Sequence, residues 1–293
     1  MSPSQYKARY QNLSVPLADG STKTIRLNQY RLRSKNYNAA AATAFLDKLK
    51  KNGVDMELRV DTGAETFRIV HRTADGGIRV NEQTRTGPVK VDSSVLKQVR
   101  GMARYVFAGK GAPEDCQIVL QLADHWNLAP GGLQKYADDA LGLDCNGFVG
   151  NYLWHIRHGH PWSSLGVGNL DLGPDAWISG YFDGKKLLSR WEDIDPGRSY
   201  IMGLVDGGGN IIHGGPGSAT GHIVITEPGR FRPATSSARS AVWSVESTAA
   251  HSPGLWESWY SCLRVDKSTK VFTIHREEMM AGHQIVAFKI AAV

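Results

Sequence analysis

The chain has 293 residues, which is enough for one large domain or for a medium domain with a small module. Its 41% hydrophobic and 21% charged residues are ordinary for a folded protein, and no apolar run of about 18 residues predicts a membrane span. The net charge of +6 favours polyanionic partners such as bacterial wall polymers, while three cysteines without a CxxC pair exclude a disulfide framework and a cysteine zinc knuckle.

Residues 1–90 have the pattern of a small α+β module. Asp19-Gly20 predicts a hairpin turn, and residues 35–51 have an apolar residue at every fourth position, which predicts a helix with Ser34 as its N-cap. Alternation over residues 54–60 predicts a half-buried strand that a second hairpin follows. Nothing here has the pattern of a chemical site, so we interpret this module as a recognition or docking module.

Residues 91–293 have a different pattern, with the boundary near 85–92. Helices are predicted first, at 93–107, 114–126 and 145–158, and a series of strands follows after residue 196. Helices followed by strands indicate an α+β domain with an antiparallel sheet.

Cys145 stands out because it lies where a helix is predicted to begin. Asp144 is a good N-cap residue, so the cysteine falls in the first helical turn, where free N–H groups and the positive end of the helix dipole favour a thiolate. The same N–H groups can donate to an oxyanion beside the sulfur, and Asn146-Gly147 leaves room for a substrate. The alternative is a structural cysteine at a helix start.

A nucleophilic thiolate needs a base, and His222 is the best candidate among ten histidines. It begins a predicted strand and follows a glycine, so it can point into a cleft. If the next strand pairs with it, Glu246 can accept the second N–H of His222 and fix its tautomer. Ser247 is a weaker candidate for that role, and Glu246 could equally be a solvated strand residue.

Three segments together resemble the NlpC-type and CHAP-type papain-like cysteine peptidases. DCNGFV at Cys145 is similar to their nucleophile motif, GHIVIT at His222 to their histidine strand, and DPGRSYIM to a turn before that strand. Glu246 resembles the acidic third position of the CHAP type. The sequence departs from the families in lacking their aromatic segment upstream of the cysteine, where Tyr136 could replace their tyrosine although its spacing differs.

The resemblance implies a papain-like α+β fold, with helices packed on an antiparallel sheet, over residues 91–293. It also implies amide hydrolysis, in which Cys145 attacks a carbonyl, His222 moves the proton, Glu246 orients His222, and the Cys145 N–H helps to hold the oxyanion. Asp144, Tyr136 and Ser247 are further oxyanion or orienting candidates. No cofactor and no metal are expected.

The usual substrates of these families are peptides of bacterial peptidoglycan, which suits a basic protein. The N-terminus lacks the apolar core of a secretory signal, so we expect a lysin or an antibacterial effector delivered to a periplasm or cell wall by a non-Sec route. An immunity protein or a delivery apparatus are the partners to expect.

Other interpretations stay open. A toxin of the same fold could deamidate or acylate a protein or act as a thioesterase on protein or lipid, and a non-enzymatic attachment protein could retain a decayed domain. His155, His158 and His160, with His213 and His222, form a weak candidate zinc cluster. No DNA- or RNA-binding motif is present, so we expect no nucleic-acid partner.

Overall fold

A computed structural model of the protein describes residues 1–17, 19–32, 35–54, 58–61, 66–69, 71–72, 78–79, 93–159, 173–213 and 221–293. Contacts divide the chain into two compact units. The barrel unit contains residues 1–8, 143–157 and 169–293, and the helical unit contains residues 9–142 and 158–168. The boundary near 85–92 that we expected between residues 1–90 and 91–293 lies outside the described residues, so that division stays a prediction.

The described residues contain six α-helices and twelve strands. In chain order they are α1 (Pro3–Gln11), β1 (Leu13–Pro16), β2 (Thr22–Ile25), α2 (Ala39–Asn52), β3 (Leu58–Asp61), β4 (Thr66–Ile69), β5 (His71–Arg72), β6 (Ile78–Arg79), α3 (Ser93–Phe107), α4 (Pro113–His125), α5 (Leu133–Ala140), α6 (Cys145–His158), β7 (Tyr200–Leu204), β8 (Ile223–Arg232), β9 (Ala241–Ser247), β10 (Leu255–Asp266), β11 (Val271–Arg276) and β12 (Ile285–Ala292). None of these helices combines the length and apolar character needed to cross a membrane.

The helical unit is built from α2 to α5 and short antiparallel hairpins. Helix α2 begins later than predicted because Asn38 caps it, with its side chain accepting a hydrogen bond from the Ala41 N–H at 3.0 Å. The expected cap, Ser34, lies outside the described residues. Buried Phe45 of α2 contacts the rings of Phe107 and Trp126, which joins α2 to the following helices.

The helices predicted at 93–107 and 145–158 are confirmed, and the one predicted at 114–126 begins and ends one residue earlier. Helices α1 and α5 were not predicted. Helix α5 has eight residues and buries Leu133, Tyr136, Ala137 and Ala140. That i, i+3, i+4, i+7 spacing marks a helical face, but the stretch is too short for its periodicity to stand out.

The barrel unit contains a closed barrel of six antiparallel strands in the order β10-β11-β12-β7-β8-β9. Strand β10 pairs with both β9 and β11, and β12 pairs with β7 through partners such as Ile290 and Met202. Every barrel strand therefore has a neighbour on both sides.

This closed barrel contradicts the papain-like fold, with helices packed on an antiparallel sheet, that we expected for residues 91–293. The prediction was wrong because alternation along each strand shows that a sheet forms but carries no information about whether its first and last strands meet. Residues that follow the predicted helices do form strands, but β7 and β12 bond to each other and close the sheet.

The interior of the barrel is filled by alternate side chains of its strands. Met202, Val224, Val242, Tyr260 and Phe288 belong to one buried cluster. Along β11, Phe272, Ile274 and Arg276 are buried while the residues between them are half-buried. Along β9, Val242, Ser244 and Glu246 share one face and are all buried. Two charged residues, Glu246 and Arg276, thus lie in the rows of buried side chains on β9 and β11.

Candidate active site

Cys145 is the first residue of helix α6, as the sequence predicted. The Asp144 carboxylate accepts a hydrogen bond from the Gly147 N–H at 2.5 Å, and the Asp144 carbonyl accepts one from the Phe148 N–H at 3.1 Å. This confirms Asp144 as the N-cap. Cys145 is 5% exposed and lies where the dipole of the helix favours negative charge.

The side chains of His222 and Glu246 are in contact. His222 Nε2 lies 2.5 Å from Glu246 Oε2, and strands β8 and β9 pair beside them, with Ile225 opposite Val245. The contact predicted from the sequence is therefore present. Since Glu246 engages Nε2, neutral His222 carries its lone pair on Nδ1, the nitrogen that can take a proton.

Glu246 is ionised although it is fully buried. Burial raises its pKa, but the charge of Arg276 and the hydrogen bonds from His222 and Tyr260 outweigh this and lower the pKa from 4.5 to about 2. Arg276 donates to Glu246 Oε2 at 2.8 Å, and the Tyr260 hydroxyl donates to Oε1 at 2.5 Å. A buried carboxylate that is charged at neutral pH can hold an imidazole and stabilise the imidazolium.

Arg276 and Tyr260 are residues that we did not predict. Arg276 is 3% exposed and Tyr260 is not exposed at all, so both belong to the interior of the barrel unit. The signal for Arg276 was present in the sequence VFTIHR, where alternation puts it in the same row as Phe272 and Ile274. A charge in a buried row needs an opposite charge, which points to an acidic partner.

Ser247, at the end of β9, forms a hydrogen bond with the segment that precedes Cys145. Its hydroxyl is buried and donates to the carbonyl of Leu143 at 2.7 Å. Leu143 lies two residues before Cys145, and Ser247 directly follows Glu246. The hydrogen bond therefore links the start of α6 to the end of β9, and the oxyanion or orienting role expected for Ser247 stays a prediction.

Residues 173–182 pack on the first two turns of α6. Asn146 donates from its side chain to the carbonyl of Ala176 at 2.9 Å, and the buried Tyr181 hydroxyl donates to the carbonyl of Gly173 at 2.6 Å. Burial and, after it, the charges of Asp144 and Cys145 raise the pKa of Tyr181 well above its usual range.

Tyr136 lies on α5 in the helical unit. Its hydroxyl is buried and has no hydrogen-bond partner among the described residues, and burial raises its pKa. Its suggested role as an oxyanion or orienting group stays a prediction.

The other two cysteines lie in settings that disfavour a thiolate. Burial, followed by the charges of Asp115 and Glu114, raises the pKa of Cys116 well above its usual value. Burial raises the pKa of Cys262 to about 11. Both thiols are therefore expected to react slowly at neutral pH.

The histidines considered as zinc ligands do not gather into a site within the described ranges. No group of three or more His, Cys, Asp or Glu side chains there could hold a metal ion. His160 lies outside those ranges. His213 instead contacts Ser179, with 2.6 Å between its Nδ1 and the serine hydroxyl, and His155 contacts the ring of Tyr6.

Comparisons of this chain with known protein families, with curated proteins and with solved structures give no match.

Proposed function

We propose that the protein is a cysteine-dependent amide hydrolase in which Cys145 is the nucleophile and His222 the base. The observation that carries the proposal is the hydrogen bond between His222 Nε2 and the ionised, buried Glu246, at 2.5 Å. A buried carboxylate of this kind suits a histidine that must gain and lose a proton while its ring stays in place.

Two observations support Cys145 as the nucleophile whose proton His222 accepts. The cysteine occupies the first turn of a capped helix, where a thiolate and an oxyanion are both stabilised. The Ser247–Leu143 hydrogen bond also ties the chain just before Cys145 to the residue that follows Glu246. Cys262 lies on a barrel strand, and Cys116 is the fourth residue of α4, where burial and the charges of Asp115 and Glu114 raise its pKa.

In the proposed reaction, the Cys145 thiol gives its proton to His222 Nδ1 and the sulfur attacks the amide carbonyl. The tetrahedral intermediate collapses when the His222 imidazolium returns that proton to the leaving amine, which leaves a thioester. His222 then takes a proton from water, the hydroxide attacks the thioester, and the thiol is regenerated as the carboxylic acid leaves. Glu246 stays ionised throughout and stabilises each imidazolium.

We propose peptidoglycan peptides as the substrate. This choice rests on the resemblance of DCNGFV and GHIVIT to the NlpC-type and CHAP-type enzymes and on the net charge of +6, which suits an anionic polymer. Delivery to a cell wall as a lysin or effector, and an immunity partner, belong to the same proposal.

The test combines thiol labelling with digestion of purified peptidoglycan. At neutral pH, iodoacetamide should modify Cys145 far faster than Cys116 or Cys262, and His222→Asn should slow this reaction while His283→Asn, at an exposed position, should not. Wild type and the control Cys262→Ala should release soluble fragments whose masses identify the bond, and Cys145→Ala should release none.

Equal labelling of the three cysteines, or labelling unaffected by His222→Asn, would contradict the nucleophile. Rapid labelling of Cys145 without release of wall fragments would contradict the substrate and move attention to a protein or lipid acyl bond.

A further inference from the structure

Trp177 is a large aromatic side chain that the protein leaves in solvent. It is 48% exposed, whereas Trp154 and Trp191 in the same unit are 1% and 4% exposed. Exposing an indole forfeits a large part of the stabilisation that its burial would give. An exposed tryptophan held in one orientation is therefore a candidate for contact with a ligand.

The orientation of Trp177 is fixed by its neighbours. The His213 imidazole stacks on the indole, with 4.5 Å between ring centroids and 23° between the planes. Ser179 hydrogen-bonds His213 Nδ1 at 2.6 Å, and the Ile178 N–H donates to the His213 carbonyl at 3.2 Å. These contacts form a flat surface of two rings with polar groups at its edge, which we call the Trp177 platform (Trp177, His213 and Ser179).

The Trp177 platform is tied to the start of helix α6. Ala176, the residue before Trp177, accepts the hydrogen bond from Asn146, which directly follows Cys145. Tyr181, four residues after Trp177, is close enough to Cys145 for its charge to affect the tyrosine pKa. The hydrogen bond from Asn146 therefore attaches the chain that carries the platform to the first turn of α6, which begins with the proposed nucleophile.

We propose that the Trp177 platform binds a pyranose ring of the substrate next to the amide bond that Cys145 attacks. The apolar face of a sugar ring carries C–H groups that pack on an aromatic plane, while its hydroxyl and amide groups lie around its edge, where Ser179 and His213 offer hydrogen-bonding groups. Each of the six barrel strands is paired with two neighbours, so the barrel offers no free edge to which a peptide backbone could add as a further strand. This inference deepens the proposed function and rests on it for the identity of the reacting atom.

The test measures sugar binding separately from catalysis. Triacetylchitotriose is titrated by calorimetry into the full chain carrying Cys145→Ala, alone and combined with Trp177→Ala, Trp177→Phe or Tyr37→Ala. Tyr37 is a matched control because it is an exposed aromatic residue of the helical unit, at 37%. We expect Trp177→Ala to weaken binding at least tenfold, which corresponds to about 1.4 kcal/mol, Trp177→Phe to weaken it less, and Tyr37→Ala to leave it unchanged.

Equal affinity of the Trp177→Ala and Tyr37→Ala chains, or no binding of the sugar by the Cys145→Ala chain, would overturn the platform as a sugar site. The retained ring in Trp177→Phe distinguishes a lost contact from a lost fold. Rapid iodoacetamide labelling of Cys145 together with either negative result would leave the proposed function standing. Trp177-dependent sugar binding without an activated Cys145 would support the platform and refute the hydrolase.

Discussion

The strongest energetic coupling between two side chains that we expect in the barrel unit is between Glu246 and Arg276. Their side chains are 0% and 4% exposed and are joined by a 2.8 Å hydrogen bond. Glu246→Gln keeps the volume but removes the negative charge beside Arg276, whose other contacts, with the Thr248 hydroxyl at 3.5 Å, the Met279 sulfur at 3.4 Å and the Tyr260 ring, are with neutral groups. Breaking one side of a buried ion pair costs about 3–5 kcal/mol.

A double-mutant cycle isolates this coupling. Arg276→Met should also destabilise the protein, because Glu246 then loses the charge that offsets its burial. The double variant removes both charges and should cost less than the sum of the two single changes, by at least ~2 kcal/mol. Urea unfolding at pH 7 measures all four free energies. Additivity within about 0.5 kcal/mol would refute the argument that the two charges depend on each other.

The same carboxylate predicts an acid-sensitive part of the stability. Folding lowers the pKa of Glu246 from 4.5 to about 2, so its contribution is fully present above pH 4.5 and is lost as the pH falls through 2. The shift corresponds to about 3 kcal/mol. Unfolding free energies measured between pH 5 and pH 2 should fall less steeply for Glu246→Gln than for wild type. Parallel curves would contradict an ionised buried carboxylate.

Two substitutions test the surroundings of the candidate site, and a pH series tests the Cys262 thiol. Asp144→Ala removes the cap of α6 and should cost about 1 kcal/mol in urea unfolding and slow iodoacetamide labelling of Cys145. Gly150→Ala should destabilise the protein by about 1–3 kcal/mol in the same assay, because a Cβ there would lie 2.4 Å from the Tyr181 hydroxyl oxygen. Labelling of Cys262 should keep rising with pH toward 11, where its thiol ionises, and a plateau near pH 8 would contradict that pKa.

Local features of this chain could be predicted from its sequence because they depend on neighbouring residues. The start of α6 follows from Asp144 before an apolar stripe, and the capping hydrogen bond to Gly147 is present. The His222–Glu246 contact required one more assumption, that two successive strands pair, and this is the commonest arrangement of adjacent strands.

Closure of the sheet could not be predicted in the same way. It depends on pairing between β7 and β12, which lie about 80 residues apart, and neither strand carries a local signal for its partner. The partners of Glu246 from β10 and β11 were missed for another reason. These successive strands pair as neighbours, but the sequence does not give their register, which places Tyr260 opposite Arg276 and brings the Tyr260 hydroxyl to the carboxylate.

The cost of burying Glu246 and Arg276 is itself an argument for a role beyond stability. Replacing a buried ion pair with apolar side chains of similar size is often neutral or stabilising, so packing alone does not require these charges. The pair does keep a carboxylate ionised at 2.5 Å from His222 Nε2, in a position that solvent does not reach. A neutral partner could orient the imidazole, but only a charged one also stabilises the imidazolium. A histidine beside a buried, charged carboxylate is therefore expected where the histidine accepts a proton during a reaction. A histidine that acts as the base for a thiol nucleophile does this.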